Sequence, residues 1–179
     1  QLANKCKAYL QQNGPLTVSD CMSTKAGQIP PPAKYVIHAV PPRHKQYETS
    51  EVERLLTLTY FNAFYMAEEL KCKTLVVPAL GCGEFNIVSD ISANCAFEAL
   101  CLYDSMPREI QVHTDKLEHI IIADIDANRA KTFAKLFQQL IEQKASEHDE
   151  SNSENLQTSH EQEEIQQASN ETLQKEQEQ

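Results

Sequence analysis

YVIHAV, the stretch from Tyr35 to Val40, is a short run of mostly β-branched and apolar residues. Such a run is typical of a strand that is covered on both faces within a sheet. Pro41 and Pro42 follow at once, and proline cannot donate a hydrogen bond to a neighbouring strand. The stretch therefore predicts a buried strand that ends at Val40.

Two elements are predicted upstream of this strand. Apolar residues recur at helical spacing over Leu2–Leu10, and Asn13–Pro15 ends that helix because glycine and proline interrupt helices. The stretch Leu16–Thr24 mixes alternating polar and apolar residues, which indicates a weak strand. Pro30–Pro32 then excludes regular strand pairing and predicts a loop.

Helix and strand patterns alternate downstream of the same strand. Apolar residues between Ser50 and Lys71 follow a period of about 3.6 residues, and Ser50 is the expected N-cap. The stretch Thr74–Leu80 repeats the buried-strand pattern. Ser89 or Asp90 is the expected cap of the helix that comes next.

A last strand is predicted at His119–Ile125, followed by a helix with apolar residues over Ala130–Ile141. Alternating strands and helices indicate parallel strands that are joined by right-handed crossovers. Helices then cover both faces of one sheet. The sequence thus predicts the α/β fold class.

The formal charge of −10 is distributed unevenly along the chain. The segment from Ser146 onward carries ten acidic residues and one lysine, which leaves the preceding part nearly neutral. Residues 144–179 are rich in Glu, Gln, Ser and Asn, so we expect a disordered acidic tail. A nearly neutral body with an acidic tail makes nucleic acid an unlikely partner, because phosphate binding needs basic surface.

The cysteines and the hydropathy indicate the redox state, metal content and cellular location to expect for the chain. Six cysteines occur singly, without a CxxC pair or paired histidines, so we expect reduced, buried thiols and no bound metal. No apolar run approaches the roughly 20 residues of a membrane span. We therefore expect no membrane association, and a nuclear or cytoplasmic location.

Two segments that follow predicted strands are candidates for a ligand site, because ligands of open α/β sheets bind beyond the carboxyl ends of the strands. Gly81–Phe85 (GCGEF) contains two glycines, which leave backbone N–H groups able to surround a phosphate. A tight connection between strand and helix needs the same glycines and is the simpler interpretation at this point. Asp126 faces a ligand in one interpretation and caps the last helix in the other.

Cys82 and His38 are the residues to weigh as an enzymatic pair. A thiol beside exposed N–H groups and a helix start has a lowered pKa in some proteins, which would make Cys82 a nucleophile. The sequence gives it no evident base. His38 lies within an apolar strand and is more simply interpreted as a hydrogen-bonded core residue.

At this point the sequence resembles a known family. Lys34–Val40 (KYVIHAV) looks like a characteristic strand of macro domains, and Asn13–Asp20, Val77–Phe85 and the last strand–helix pair are similar in order and spacing. The resemblance spans residues 1–143 and is closest to macro domains of multidomain ADP-ribosyltransferases. It implies a three-layer α/β/α fold with a mixed, mostly parallel sheet, whose N-terminal strands are missing here.

The resemblance also implies a ligand and its contacts. The partner would be ADP-ribose or an ADP-ribosylated protein, with no cofactor. Gly81, Cys82, Gly83, Glu84 and Phe85 would form the second phosphate loop, with the aromatic ring beside the distal ribose. Ile125 and Asp126 would lie next to the adenine.

Several residues depart from the family pattern. Pro41 replaces a usual glycine, Cys82 a hydroxyl residue, and Asn86–Ile87 a glycine–aromatic pair, while Glu84 brings a carboxylate toward the expected diphosphate. The loop that family hydrolases use would precede Gln1, so catalysis by this chain alone is not expected. Two alternatives to binding stay open: a mono-ADP-ribosyl hydrolase in a longer chain, and a degenerate macro fold that serves as an interaction scaffold.

Overall fold

The chain was studied as a computed structural model, which describes residues 2–29, 33–107 and 117–146. It divides into two units, Gln1–Phe137 and Gln138–Gln179. In the second unit the described residues, 138–146, are helical. The predicted acidic tail lies outside the described residues from position 147 onward, and the domain division at 143 stays a prediction.

The first unit alternates helices and strands, as the sequence predicts. Its elements are α1 (Leu2–Asn13), β1 (Cys21–Lys25), β2 (Tyr35–Ala39), a short 3-10 helix (His44–Gln46), α2 (Thr49–Glu69), β3 (Thr74–Val77), α3 (Ser89–Ser105), β4 (His119–Ile122) and α4 (127–137). Every predicted helix and strand of this unit is present, which confirms the α/β class.

The strands form two separate two-stranded sheets among the described residues, where one sheet was expected. β1 and β2 are antiparallel, from the pair Cys21↔Ala39 to the pair Lys25↔Tyr35. Nine residues join them, too few for the crossover of a dozen or more that a parallel pair requires. β3 and β4 are parallel, with α3 in the crossover between them.

Helices lie on both faces of the β1/β2 pair. On one face, the Cys21 thiol contacts the Thr59 carbonyl oxygen of α2 at 3.9 Å, and Ile37 packs against the main core. On the other face, His38 contacts Cys6 of α1. The predicted arrangement of strands between two helical layers is therefore confirmed here, although no residue of β2 is fully buried.

The β3/β4 pair is covered on one face only. Leu75 of β3 and Ile120 of β4 pack against the core, whereas Val76 is 60% exposed and Ile121 is 47% exposed. Successive side chains of a strand point to opposite faces, and no described helix lies over the second face. The prediction that Thr74–Leu80 is buried on both faces was wrong, and the strand ends at Val77 because Pro78 follows.

The core lies between α2, α3 and the inner faces of the strands. Leu56, Tyr60 and Phe64 of α2 are at most 1% exposed, and each such side chain stabilises the fold by roughly 1.5–3 kcal/mol through burial. Within the described ranges, no helix is both long and apolar enough to span a membrane.

The predicted helix caps were wrong. Glu48 and Val88 occupy the N-cap positions of α2 and α3, both in extended conformation and without a side-chain capping bond. α2 starts two residues earlier than a cap at Ser50 requires. α3 starts one residue earlier than a cap at Ser89 requires and two earlier than a cap at Asp90 requires, so all three residues lie inside a first turn. A carboxylate there, such as that of Asp90, still stabilises the helix through its dipole.

Candidate functional site

The loop between β3 and α3 begins at a residue whose backbone is fixed by two buried hydroxyls. The Leu80 N–H donates to Tyr60 Oη at 2.7 Å, Tyr60 Oη lies 2.9 Å from Ser92 Oγ, and Ser92 Oγ donates to the Leu80 carbonyl at 2.8 Å. Tyr60 and Ser92 are fully buried. This closed ring of hydrogen bonds holds the backbone at the point where the glycine loop starts.

Gly81 is a position that only glycine fits. Its φ of +77° lies in the left-handed region, and a Cβ there would sit 2.5 Å from Ile87 Cδ1. Ile87 is itself 2% exposed, so it cannot move aside cheaply. Gly81 therefore serves the tight connection that was one of the two interpretations of this loop.

The loop folds back on itself through backbone hydrogen bonds. The Ile87 N–H donates to the Gly81 carbonyl at 3.0 Å, and the Asn86 N–H donates to the Gly83 carbonyl at 3.1 Å. Asn86 has a φ of +57°, a conformation that asparagine adopts more readily than most residues. The Asn86–Ile87 pair thus supplies the turn and the apolar plug that the loop needs.

The outer part of the loop leaves donors open. Across the described residues, no protein acceptor engages the N–H groups of Gly83, Glu84 or Phe85. A Cβ built on Gly83 meets nothing within 4 Å, so the space beside this backbone is empty. Consecutive unengaged N–H groups beside open space are the arrangement that holds a phosphate oxygen.

Arg43 joins this loop from the carboxyl end of β2. Its guanidinium carbon lies 4.4 Å from the centre of the Phe85 ring, and the His44 N–H donates to the Phe85 carbonyl at 3.2 Å. A cation over an aromatic face is attracted by about 0.5–1 kcal/mol at an exposed site. The sequence analysis missed Arg43, although its place directly after a strand and two prolines was a usable signal.

Asp124 and Arg129 connect the second predicted segment to the loop. Arg129 Nη1 donates to the Cys82 carbonyl at 2.9 Å, and Arg129 Nε lies 3.2 Å from Asp124 Oδ1 and 3.6 Å from Asp126 Oδ2. The Nε contacts are ion pairs without hydrogen-bond alignment. Asp124 Oδ2 also accepts from the Ala79 N–H at 3.3 Å. Sequence reasoning named neither Asp124 nor Arg129.

Asp126 and Ile125 stand at the edge of this cluster. Asp126 Oδ1 accepts from the N–H groups of Asn128 at 2.9 Å and Arg129 at 3.4 Å, so the capping interpretation is confirmed. Its other oxygen faces Arg129. The Ile125 side chain is fully exposed, at 103% of its reference area.

The hypothesis that Cys82 is an activated nucleophile was wrong. Burial raises the pKa of the Cys82 thiol, and this outweighs the lowering by nearby Arg129 and by hydrogen bonding to Ser92 and Ser89. The group is therefore a protonated thiol at neutral pH. All six cysteines are reduced, but only Cys95 is fully buried, so the expectation of buried thiols was wrong for the other five.

The sequence was right that His38 is hydrogen-bonded within its sheet. Thr24 Oγ1 lies 2.9 Å from His38 Nε2, and burial lowers the pKa of the ring. Among the described residues, no group of three or more His, Cys, Asp or Glu side chains could hold a metal ion.

Comparisons with known proteins agree on one family. The Macro domain family matches residues 1–96. The chain is 34% identical to O-acetyl-ADP-ribose deacetylase of Enterobacter sp. (strain 638) over 100 residues, 56% of this chain and 54% of that protein. It is 30% identical to human protein mono-ADP-ribosyltransferase PARP14 over 107 residues, 55% of this chain and 6% of that protein. The chain thus spans about half or less of these relatives.

Solved structures give the same result for the fold. An Oceanobacillus iheyensis macrodomain mutant with ADPR aligns at a TM-score of 0.64 and 20% identity, over 79% of this chain and 72% of that one. The macrodomain from the same organism with ADP gives 0.64 and 20%, over 79% and 70%. These similarities confirm the mixed α/β macro fold that the resemblance predicts.

Proposed function

The chain belongs to the macro-domain family, and on that basis we propose that it binds ADP-ribose, free or attached to a protein, through the loop Gly81–Phe85. The observation that supports this most directly is the row of unengaged N–H groups at Gly83, Glu84 and Phe85 beside open space. Such a row recognises the diphosphate, the one feature of ADP-ribose that needs several backbone donors at once.

The base of the loop is already rigid before a ligand arrives. The hydrogen-bond ring at Leu80, the packing of Gly81 on Ile87 and the Arg129 bond to the Cys82 carbonyl fix it from three sides. A pre-organised loop loses less conformational entropy on binding, which favours affinity. The loop is thus built as an anion site rather than as a merely flexible connection.

Two charged side chains should change the affinity of the loop for a diphosphate in opposite directions. Arg43 brings a positive charge to the Phe85 ring, on the side where β2 ends. Glu84 is exposed and is held by no ion pair within the described residues, so its carboxylate repels a diphosphate unless it points away. We propose that Arg43 offsets much of the repulsion that Glu84 introduces.

The adenine would lie at the end of β4. Ile125 offers a fully exposed apolar side chain there, and Arg129 connects this end to the phosphate loop through the Cys82 carbonyl. Because Asp126 uses one carboxylate oxygen as a helix cap, its other oxygen is the candidate for a polar contact with the base. Arg129 thus joins the two ends of the proposed site.

The test is isothermal titration of ADP-ribose into the full chain, with ADP as the competing ligand and Gly83→Val as the site variant. A micromolar dissociation constant for the chain, weakened about tenfold or more in the variant, is the expected result. The variant's Cβ meets no neighbour, so its thermal midpoint should match that of the parent chain. If the parent chain and the variant bind ADP-ribose with equal affinity, the loop does not contact the ligand.

The same titration separates the remaining alternatives. Absence of heat and of any thermal shift from a folded chain would favour the degenerate scaffold over a binding module. The relative named O-acetyl-ADP-ribose deacetylase motivates a second assay, in which release of acetate from O-acetyl-ADP-ribose is followed over time. Binding without turnover is the expected outcome, because the one thiol of the loop is protonated and faces two serines.

A further inference from the structure

Every carbonyl of the loop Gly81–Phe85 accepts a hydrogen bond from within the protein. Two of the donors are side chains: Arg129 Nη1 donates to the Cys82 carbonyl at 2.9 Å, and Asn86 Nδ2 donates to the Glu84 carbonyl at 3.3 Å. The other donors are backbone N–H groups, which bond the carbonyls of Gly81, Gly83 and Phe85 at 3.0, 3.1 and 3.2 Å. Within the described residues, the loop thus leaves N–H donors without a protein partner, but no carbonyl.

The geometry of the peptide unit couples each of these carbonyls to a donor. In a trans peptide, the C=O of one residue and the N–H of the next point in opposite directions. The bond from Arg129 to the Cys82 carbonyl therefore turns the Gly83 N–H away from Arg129. On that side the N–H meets no acceptor among the described residues, and a Cβ on Gly83 would meet nothing within 4 Å.

Gly83 does not fix this orientation by itself. Its φ, unlike that of Gly81, is not positive. A half-turn of the Cys82–Gly83 peptide would bring the φ of Gly83 to a positive value, which glycine accepts at little cost. The turned peptide would present the Cys82 carbonyl oxygen in place of the N–H, and this oxygen repels an anion. A contact from outside the loop is needed to select the orientation that binds a phosphate.

Arg129 provides that contact from a fixed position. Its Nε lies 3.2 Å from Asp124 Oδ1 and 3.6 Å from Asp126 Oδ2. The Asp124 side chain is only 8% exposed, and its Oδ2 accepts from the Ala79 N–H at 3.3 Å. A guanidinium can face carboxylates with one edge and bond a carbonyl with another, whereas the ammonium of a lysine is a single point of charge.

We propose that Arg129 is a positioning residue that makes the loop selective for anions, an inference that rests on the proposed ADP-ribose site. It holds the Cys82 carbonyl on the protein side and thereby keeps the Gly83 N–H available to an oxygen of the diphosphate. Arg129 acts through the peptide and does not touch the ligand. Loss of its bond should therefore weaken anion binding even where a positive charge is retained.

The test compares the full parent chain with Arg129→Lys, which keeps the charge beside Asp124 but loses the fork. The nuclear Overhauser effect between Cys82 Hα and the Gly83 amide proton reports the orientation of their peptide without any ligand. We expect one orientation in the parent and two in the variant, together with an ADP-ribose dissociation constant about tenfold higher by isothermal titration. Lys131→Gln, which removes an exposed charge from α4, is the control and should leave both readouts unchanged.

A second variant separates positioning from a general loss of stability. Alanine disfavours positive φ, so adding Gly83→Ala to Arg129→Lys should restore the single orientation of the peptide. Loosening of the whole loop would not be reversed in this way. Two orientations that persist in the double variant would therefore contradict the inference.

Two further results would overturn it: a single orientation in Arg129→Lys, or a second orientation at unchanged ADP-ribose affinity. If the parent chain binds no ADP-ribose, the proposed function fails, and the orientation alone decides whether Arg129 positions the peptide. If Arg129→Lys does not fold, Asp124→Asn/Arg129→Gln replaces it, because removing both charges leaves neither one buried alone. A second orientation in that chain supports the inference, and a single orientation overturns it.

Discussion

The loop Gly81–Phe85 has an inner part at Gly81, which packs against the fold, and an outer part around Gly83, which faces open space. At the inner end, two hydroxyls hold the Leu80 backbone, and Gly81 packs against Ile87. At the outer end, Gly83 borders open space and its N–H group meets no acceptor within the described residues. Stability and the proposed ligand binding should therefore depend on different residues of one short loop, and mutation should separate them.

The largest expected effect is at the inner glycine. Gly81→Ala places a Cβ 2.5 Å from Ile87 on a backbone with positive φ, which should lower the free energy of unfolding by about 2–4 kcal/mol. Urea unfolding followed by circular dichroism measures the change. Gly83→Ala is the matched control and should stay within about 0.5 kcal/mol of the parent, since its Cβ meets nothing. Equal losses in both variants would abolish the distinction between the two ends.

The second effect concerns the hydrogen-bond ring. Tyr60→Phe removes the acceptor of the partly buried Leu80 N–H and the partner of the buried Ser92 hydroxyl, and should lower the free energy of unfolding by about 1–3 kcal/mol. Tyr65→Phe is the control, because Tyr65 lies in the same helix and its hydroxyl makes no hydrogen bond to any described residue. Similar unfolding midpoints for the two variants would mean that the ring contributes nothing to stability.

Tyr60 and Arg129 show which contacts could not be predicted from the sequence. Periodicity located every α-helix and strand described in the first unit, because burial acts on each element through its own spacing of apolar residues. The short 3-10 helix His44–Gln46 was not predicted. From sequence, Tyr60 is only one more residue of a helix, because the two groups bonded to its hydroxyl, the Leu80 N–H and Ser92 Oγ, lie 20 and 32 positions away. Arg129, which reaches Cys82 over 47 positions, was missed for the same reason.

The wrong cap assignments have a different origin. A residue type that favours a cap does not fix the exact start of a helix, and sequence patterns leave that start uncertain by one or two residues. Glu48 and Val88 occupy the N-caps of α2 and α3. The glycine loop, in contrast, was found from sequence because glycine itself marks the need for an unusual backbone. The sequence could not show that Gly81 has a positive φ, whereas Gly83 has an ordinary backbone beside open space.

The third prediction concerns the contact between Arg43 and Phe85. Arg43→Gln removes the cation that stacks on Phe85 and should weaken ADP-ribose binding about threefold to fivefold, most clearly at low salt. Lys45→Gln, an exposed lysine two positions on, removes the same charge without the stacking contact. Titrations of both variants at two salt concentrations separate the effects. Equal losses would assign the role to net charge rather than to Arg43.

The smallest expected effect is a gain in affinity for ADP-ribose. Glu84→Gln removes a carboxylate from the row of donors and should tighten ADP-ribose binding by about 0.5–1 kcal/mol, roughly twofold to fivefold, at low ionic strength. Because the side chain is exposed, salt should screen the repulsion, so parent and variant should converge as ionic strength rises. Glu69→Gln, an exposed glutamate at the end of α2 that precedes the amino end of β3, is the control and should change nothing. A Glu84→Gln affinity that equals the parent value even at low salt would place the carboxylate away from the diphosphate, and the outer end would then hold its ligand by backbone donors alone.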